Sequence, residues 1–98
     1  MHTDFPPPSV ELVPLTGNTS TTPVLLLDAS CSAIDLQDCT DRRLNAARGL
    51  LRSLASLKSP EADGSDLLHF ADAAHLLLAD ACDLLAAARK AARREAVG

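Results

Sequence analysis

From about Ser30 to Lys58 the apolar residues recur at helical spacing. At roughly 100° per residue, Leu36, Cys39, Leu44, Ala47, Leu50, Leu51, Leu54 and Leu57 share one broad face, and Asp38, Asp41, Arg42, Asn45, Arg48 and Arg52 lie opposite. This predicts an amphipathic helix. Ser30 or Ser32 can cap it, and Asp35 and Asp38 suit its early turns, where the helix dipole favours negative charge. Weak propensity from Thr40 to Arg43 allows a break near Cys39. Arg43 lies close to the apolar face, where it either snorkels or meets a carboxylate of the next helix.

The stretch "SPEADGSD" interrupts the pattern. Ser59 followed by Pro60 reads as a cap with proline at the first helical position, Gly64 breaks the run, and Ser65 can cap again. A second, longer helix is expected from about Asp66, with a heptad. Leu67, Ala74, Ala81 and Ala88 take position a; Phe70, Leu77, Leu84 and Ala91 take d; Ala71, Leu78, Leu85 and Ala92 take e. Alanine at a lets a neighbouring helix come close. Leu68, Leu76, Ala79, Cys82 and Ala86 remain on another flank. In both helices acidic residues precede basic ones, so folding them antiparallel sets unlike charges against each other.

Before residue 29 the pattern is not helical. Pro6, Pro7, Pro8, Pro14, Gly17 and the Ser/Thr run from Thr19 to Thr22 disfavour helix. Residues 1–28 therefore read as a flexible or extended arm and residues 29–98 as a helical hairpin domain, giving an all-α fold class. Within the arm, "VELV" (Val10 to Val13) reads either as a disordered tail or as a short strand along a neighbour. "PVLLLD" (Pro23 to Asp28) reads as an extended apolar piece able to anchor the arm on the body.

Two helices share one interface and cannot cover both flanks of each other. A buried leucine contributes about 1.5–3 kcal/mol, so several leucines left in water forgo a sum comparable to the whole stability of a small domain. The exposed side needs a cover: a second copy, a different partner, or the arm folded over it. Two such hairpins closing into a four-helix bundle is the simplest symmetric solution, and a homodimer is expected. The residues expected to carry partner or dimer contacts are Leu68, Phe70, Leu76, Leu77, Leu78, Leu84, Leu85, Leu50, Leu51 and Leu54.

Composition narrows the function. The chain has 98 residues, 47% of them apolar and much of that alanine and leucine, with two Phe and no Trp or Tyr. That suits helix on helix and not a sandwich or ligand-lined barrel. A net charge of −4 argues against nucleic acid or an anionic membrane as the main partner. The basic end, Arg89, Lys90, Arg93 and Arg94, reads first as cations at a helix C-terminus. A nucleic-acid contact there is the rival reading, but no aromatic is interleaved for base stacking. Cys31, Cys39 and Cys82 form no CxxC pair, and their odd number fits reduced thiols in a cytoplasmic protein. No early apolar run has signal-peptide or membrane-spanning length.

No catalytic constellation is visible. His69, Asp72 and His75 sit at i, i+3 and i+6, so the two histidines diverge, whereas a helical metal pair wants i, i+4. His75 and Cys82 are two turns apart and do not form a nucleophile–base pair. A phosphate loop and an HExxH motif are both missing from the sequence. The expectation is a non-enzymatic protein with neither metal nor cofactor.

The segments "NAARGLL" (Asn45 to Leu51) and "FADAAHLLLADACDLL" (Phe70 to Leu85) give residues 30–95 a resemblance to the QslA family, small two-helix bacterial anti-activators of LuxR-type quorum-sensing receptors. The resemblance implies an all-α dimer without catalytic residues. It further implies binding to the acyl-homoserine-lactone-binding domain of such a transcription regulator, over the surface the receptor uses to dimerise. Receptor monomers would then lose their two-fold operators, which need two correctly spaced readers. A small acidic helical chaperone or antitoxin-like neutraliser is the alternative in the same size class.

Overall fold

A computed structural model describes residues 10–56 and 64–97. The Pro6–Pro8 run, Leu57 and the Ser59–Pro60 cap lie outside the described residues. The fold is mainly helical. Its order is β1 (Leu12–Pro14), β2 (Leu26–Asp28), α1 (Ala33–Ala55) and α2 (Gly64–Val97).

The helix pattern holds in detail. α1 is continuous through Cys39, with Ser32 as its N-cap accepting from the Asp35 N–H at 3.2 Å. Its first N–H, on Ala33, finds a further acceptor in Glu95 near the end of α2, at 2.7 Å. Arg43 Nε lies 3.7 Å from Asp80 Oδ2, the pairing its place beside the apolar face suggested. These contacts join the start of α1 to the end of α2 and the middle of one to the middle of the other. The helices therefore run in opposite directions. Leu36, Thr40 and Ala47 of α1 and Ala74, Ala81, Leu84, Ala88 and Ala91 of α2 are buried. Thr40 donates its hydroxyl to the Leu36 carbonyl at 2.9 Å, so its burial leaves no polar atom unpaired.

Residues 10–29 depart from the all-α expectation. They form an antiparallel β-hairpin, with Leu12 opposite Asp28, Val13 opposite Leu27 and Pro14 opposite Leu26. Leu15 N–H donates to the Leu25 carbonyl and Ala29 N–H to the Glu11 carbonyl. By alternation, Val13 and Leu27 are the hydrogen-bonded pair between them. Leu12 and Pro14 then turn their backbone outward. Pro14, having no N–H, sits where none is required, on a free edge. The physical reason for the departure is burial. Leu27 and Ala29 enter one cluster with Leu36, Leu84, Ala87, Ala88 and Ala91, and Leu15, Cys31 and Ala33 pack against it. "PVLLLD" anchors the arm on the body.

The loop between the strands is closed by Asn18. Its Nδ2 donates to the Leu15 and Leu25 carbonyls at 2.7 and 2.9 Å, and its Oδ1 accepts from the Val24 and Leu25 N–H groups at 3.1 and 3.0 Å. All four hydrogen-bonding positions of one side-chain amide are used.

Candidate interaction surfaces

The hairpin lies along α2 on the flank of Leu76, Asp83, Ala87 and Lys90. Gly17 faces Leu76 closely enough that a Cβ there would touch its side chain, Val13 and Leu27 line a cleft of 120 Å³ with Ala86 and Ala87, and Arg94 Nη2 donates to the carbonyls of Ala29 and Cys31 at 3.2 and 3.4 Å. The hairpin thus covers Ala87 and Ala91 from within the chain, whereas Leu76, Cys82 and Ala86 of the second apolar flank of α2 stay exposed. Leu68, 72% exposed, lies beyond the hairpin's reach.

A different face stays open. Cys39, Arg43 and Ala46 of α1 line a groove with Leu77 and Asp80 of α2, which fixes one side of the helix–helix seam. Helix geometry sets Leu44 and Leu51 about 100° round from Arg43, past the buried line of Leu36, Thr40 and Ala47. On α2 the same step past Ala74 and Ala81 reaches Leu67, Ala71, Leu78 and Leu85. These residues therefore share the opposite side of the seam. Leu44, Leu51, Leu67 and Leu78 are between 39% and 47% exposed, and Leu85 is half-buried. The heptad explains the arrangement. Positions a and d face α1 over most of α2, and position e, with Leu67 at the outermost a, is left uncovered.

The residues expected to make contacts divide accordingly. Leu84 belongs to the core. Leu50, Leu54, Phe70, Leu77 and Leu85 are half-buried along the seam, whereas Leu51, Leu68, Leu76 and Leu78 are exposed. Leu76 has Gly17 of the hairpin against it. Leu44 and Leu67 complete the open face. Leu67 was legible as an apolar heptad position and Leu44 as part of the apolar face of α1, but that arc is wider than the seam it fills, and only the packing shows which side is left over.

The hairpin has its own apolar outer surface. Val10, Leu12, Val24 and Leu26 are 43% to 80% exposed. Leu12 and Leu26 point away from α2 because Val13 and Leu27, one residue on, point toward it.

Polar chemistry is sparse. Among the described residues no three or more His, Cys, Asp or Glu side chains gather as a metal cluster. His69, Asp72 and His75 are each exposed on α2. All three cysteines are free thiols, Cys39 and Cys82 exposed and Cys31 half-buried. Desolvation, reinforced by the negative charge of Asp28, raises the pKa of Cys31. The hydroxyl and N–H of Ser30 both donate to Asp28 and hold its carboxyl below the ordinary carboxylate value. Among the described residues no helix is long and apolar enough to cross a membrane.

No family model matches this chain, and no curated protein or solved structure matches it.

Proposed function

We propose that the chain is a non-enzymatic protein–protein interaction module. It works as a homodimer of helical hairpins closed into a four-helix bundle, and it binds a transcription regulator. The observation that supports this most is the open leucine face. Leu44, Leu51, Leu67 and Leu78 are together on one side of a small chain whose internal hairpin packs elsewhere, on Ala87, Ala88 and Ala91. Large apolar side chains grouped this way cost stability in water and recover it against another protein.

The family resemblance names the regulator to test: the ligand-binding domain of a LuxR-type receptor, captured as a monomer so that it loses DNA. Light scattering across a dilution series, with and without such a domain, tests both steps. The expected result is a dimer that forms a defined complex and removes the receptor's own dimer. Replacing Leu51 and Leu78 together by Asp should abolish self-association while far-ultraviolet circular dichroism stays helical. A dimer undiminished in that variant would place the self-contact elsewhere. A regulator domain that ignores the wild-type chain would defeat the anti-activator reading.

A further inference from the structure

We infer that the leucine face is the self-association surface, and that it closes about a two-fold axis passing at the height of Leu44 and Leu78, bringing Asp41 of each copy to Arg48 of the other. The inference rests on the interaction-module reading and assigns one surface to one occupant, a second copy of this chain.

The height comes from the Arg43–Asp80 contact, which sets residue 43 of α1 level with residue 80 of α2. Leu44 is therefore level with Leu78 to within one residue, and both are exposed on the same side of the seam. A two-fold at that height, perpendicular to the helices, stacks α1 on its copy and α2 on its copy, antiparallel. Leu44 then meets Leu44 of the partner, Leu78 meets Leu78, and Leu85 falls opposite the partner's Ala71. Beside the axis, large side chains oppose their equivalents or a small residue; farther out, Leu51 falls opposite Gln37 and Asp38 at the rim and Leu67 opposite Arg89, whose aliphatic stem can cover it.

Charge selects this axis. Asp41 and Arg48 are both exposed, lie one heptad apart, and border Leu44 and Leu51 on the outer rim of the face. Neither has an opposite charge on its own helix three or four residues away. The neighbours of Asp41 at those spacings are Gln37, Asp38, Leu44 and Asn45, and those of Arg48 are Leu44, Asn45, Leu51 and Arg52. Neither forms an ion pair among the described residues. The midpoint between them falls at residue 44 to 45, where the axis already passes, so the two-fold makes the Asp41–Arg48 pair twice. An axis running along the helices would instead set Arg48 against His75 and Asp41 against Cys82, and the Asp41–Arg48 pair would not form.

The test is charge reversal read by dimer dissociation in the full chain. Asp41→Arg alone and Arg48→Asp alone should each weaken the dimer by about five- to thirty-fold, since each turns two attractions into two repulsions. The double variant Asp41→Arg/Arg48→Asp should return to within about threefold of wild type. As a check independent of charge, Leu44→Cys with Cys39 and Cys82 changed to Ser should oxidise to a covalent dimer, whereas Leu68→Cys in the same background should not. A dimer indifferent to both single reversals, or a double variant as weak as the singles, overturns the register. A wild-type chain that stays monomeric overturns the interface, even if it captures a regulator domain. A dimer that behaves as expected but binds no regulator domain sinks the anti-activator reading alone.

Discussion

Thr16 and Asp83 are 67 positions apart in the chain, yet Thr16 donates both its backbone N–H and its hydroxyl to the Asp83 carboxylate, at 2.7 and 2.6 Å. One side chain on the middle of α2 thus holds the start of the hairpin loop, next to the point where Gly17 faces Leu76. Without this bond the hairpin would rest on α2 by apolar contact and by the Arg94 bonds at its other end. Hydrogen bonds to charged groups are worth more than neutral ones, and exposure discounts them, so Asp83→Ala should cost about 1–2 kcal/mol. Hydrogen exchange should quicken at Val13 and Leu15 more than in the middle of α1. Equal quickening in both would mean that hairpin and helices open as one unit, with no separate latch.

Asn18 makes a sharper case. Asn18→Asp keeps the shape and one acceptor oxygen but removes both donors, and it places a negative charge against the Leu15 and Leu25 carbonyls. The loop should open, destabilising the chain by about 1–3 kcal/mol. Helical circular dichroism should be retained while the hairpin amide resonances shift. An Asn18→Asp protein with the wild-type melting temperature would show that the four bonds are not needed to close the loop.

The joint between hairpin and α1 predicts a dependence on pH. Ser30 favours ionised Asp28, so its folded pKa lies below its unfolded one. That contribution is complete above the ordinary carboxylate value and is lost as pH falls through the lower folded value. Cys31 has the opposite sense. Folding favours its thiol, so this contribution is present below the ordinary thiol value and is lost as pH rises through the raised one. A carbon-detected titration should find the Asp28 midpoint below that of an unfolded peptide. Mildly alkaline alkylation should label exposed Cys39 and Cys82 well before Cys31. Cys31 labelling as fast as Cys82 would contradict the desolvation assigned to it.

Both helices, Ser32 as a cap, the opposed chain directions and the Arg43 pairing were legible because they follow from local rules: period, capping chemistry and charge order. The hairpin was only half legible. "PVLLLD" read as an anchoring segment, but nothing nearby in sequence says that Leu27 and Ala29 enter the cavity left by the small residues Ala87, Ala88 and Ala91. That contact spans some sixty positions, and alanine-rich helix faces look alike whether they receive a helix or a strand. The same ambiguity hides the extent of the open surface: Leu76, which reads as free on a helical wheel, is 46% exposed beside the hairpin loop, and Leu44, which reads with the apolar face of α1, is 42% exposed.

The seat of the hairpin gives the clearest packing test. Ala91 has no exposed surface and lies in the cluster that joins Leu27 and Ala29 to Leu36, whereas its neighbour Ala92 is exposed. Both are one methyl group on the same helical turn, and leucine has similar helix propensity at each, so any difference between them reports packing alone. Ala91→Leu must displace the strand or α1 and should cost about 1–3 kcal/mol. Ala92→Leu should change stability by less than about 0.5 kcal/mol. Paired urea melts at one protein concentration measure the contrast. If the hairpin closes on α2 as described, only the first substitution lowers the midpoint, and the largest chemical-shift changes fall at Leu27 and Ala29. Equal tolerance at both positions would mean that the strand does not sit on Ala91.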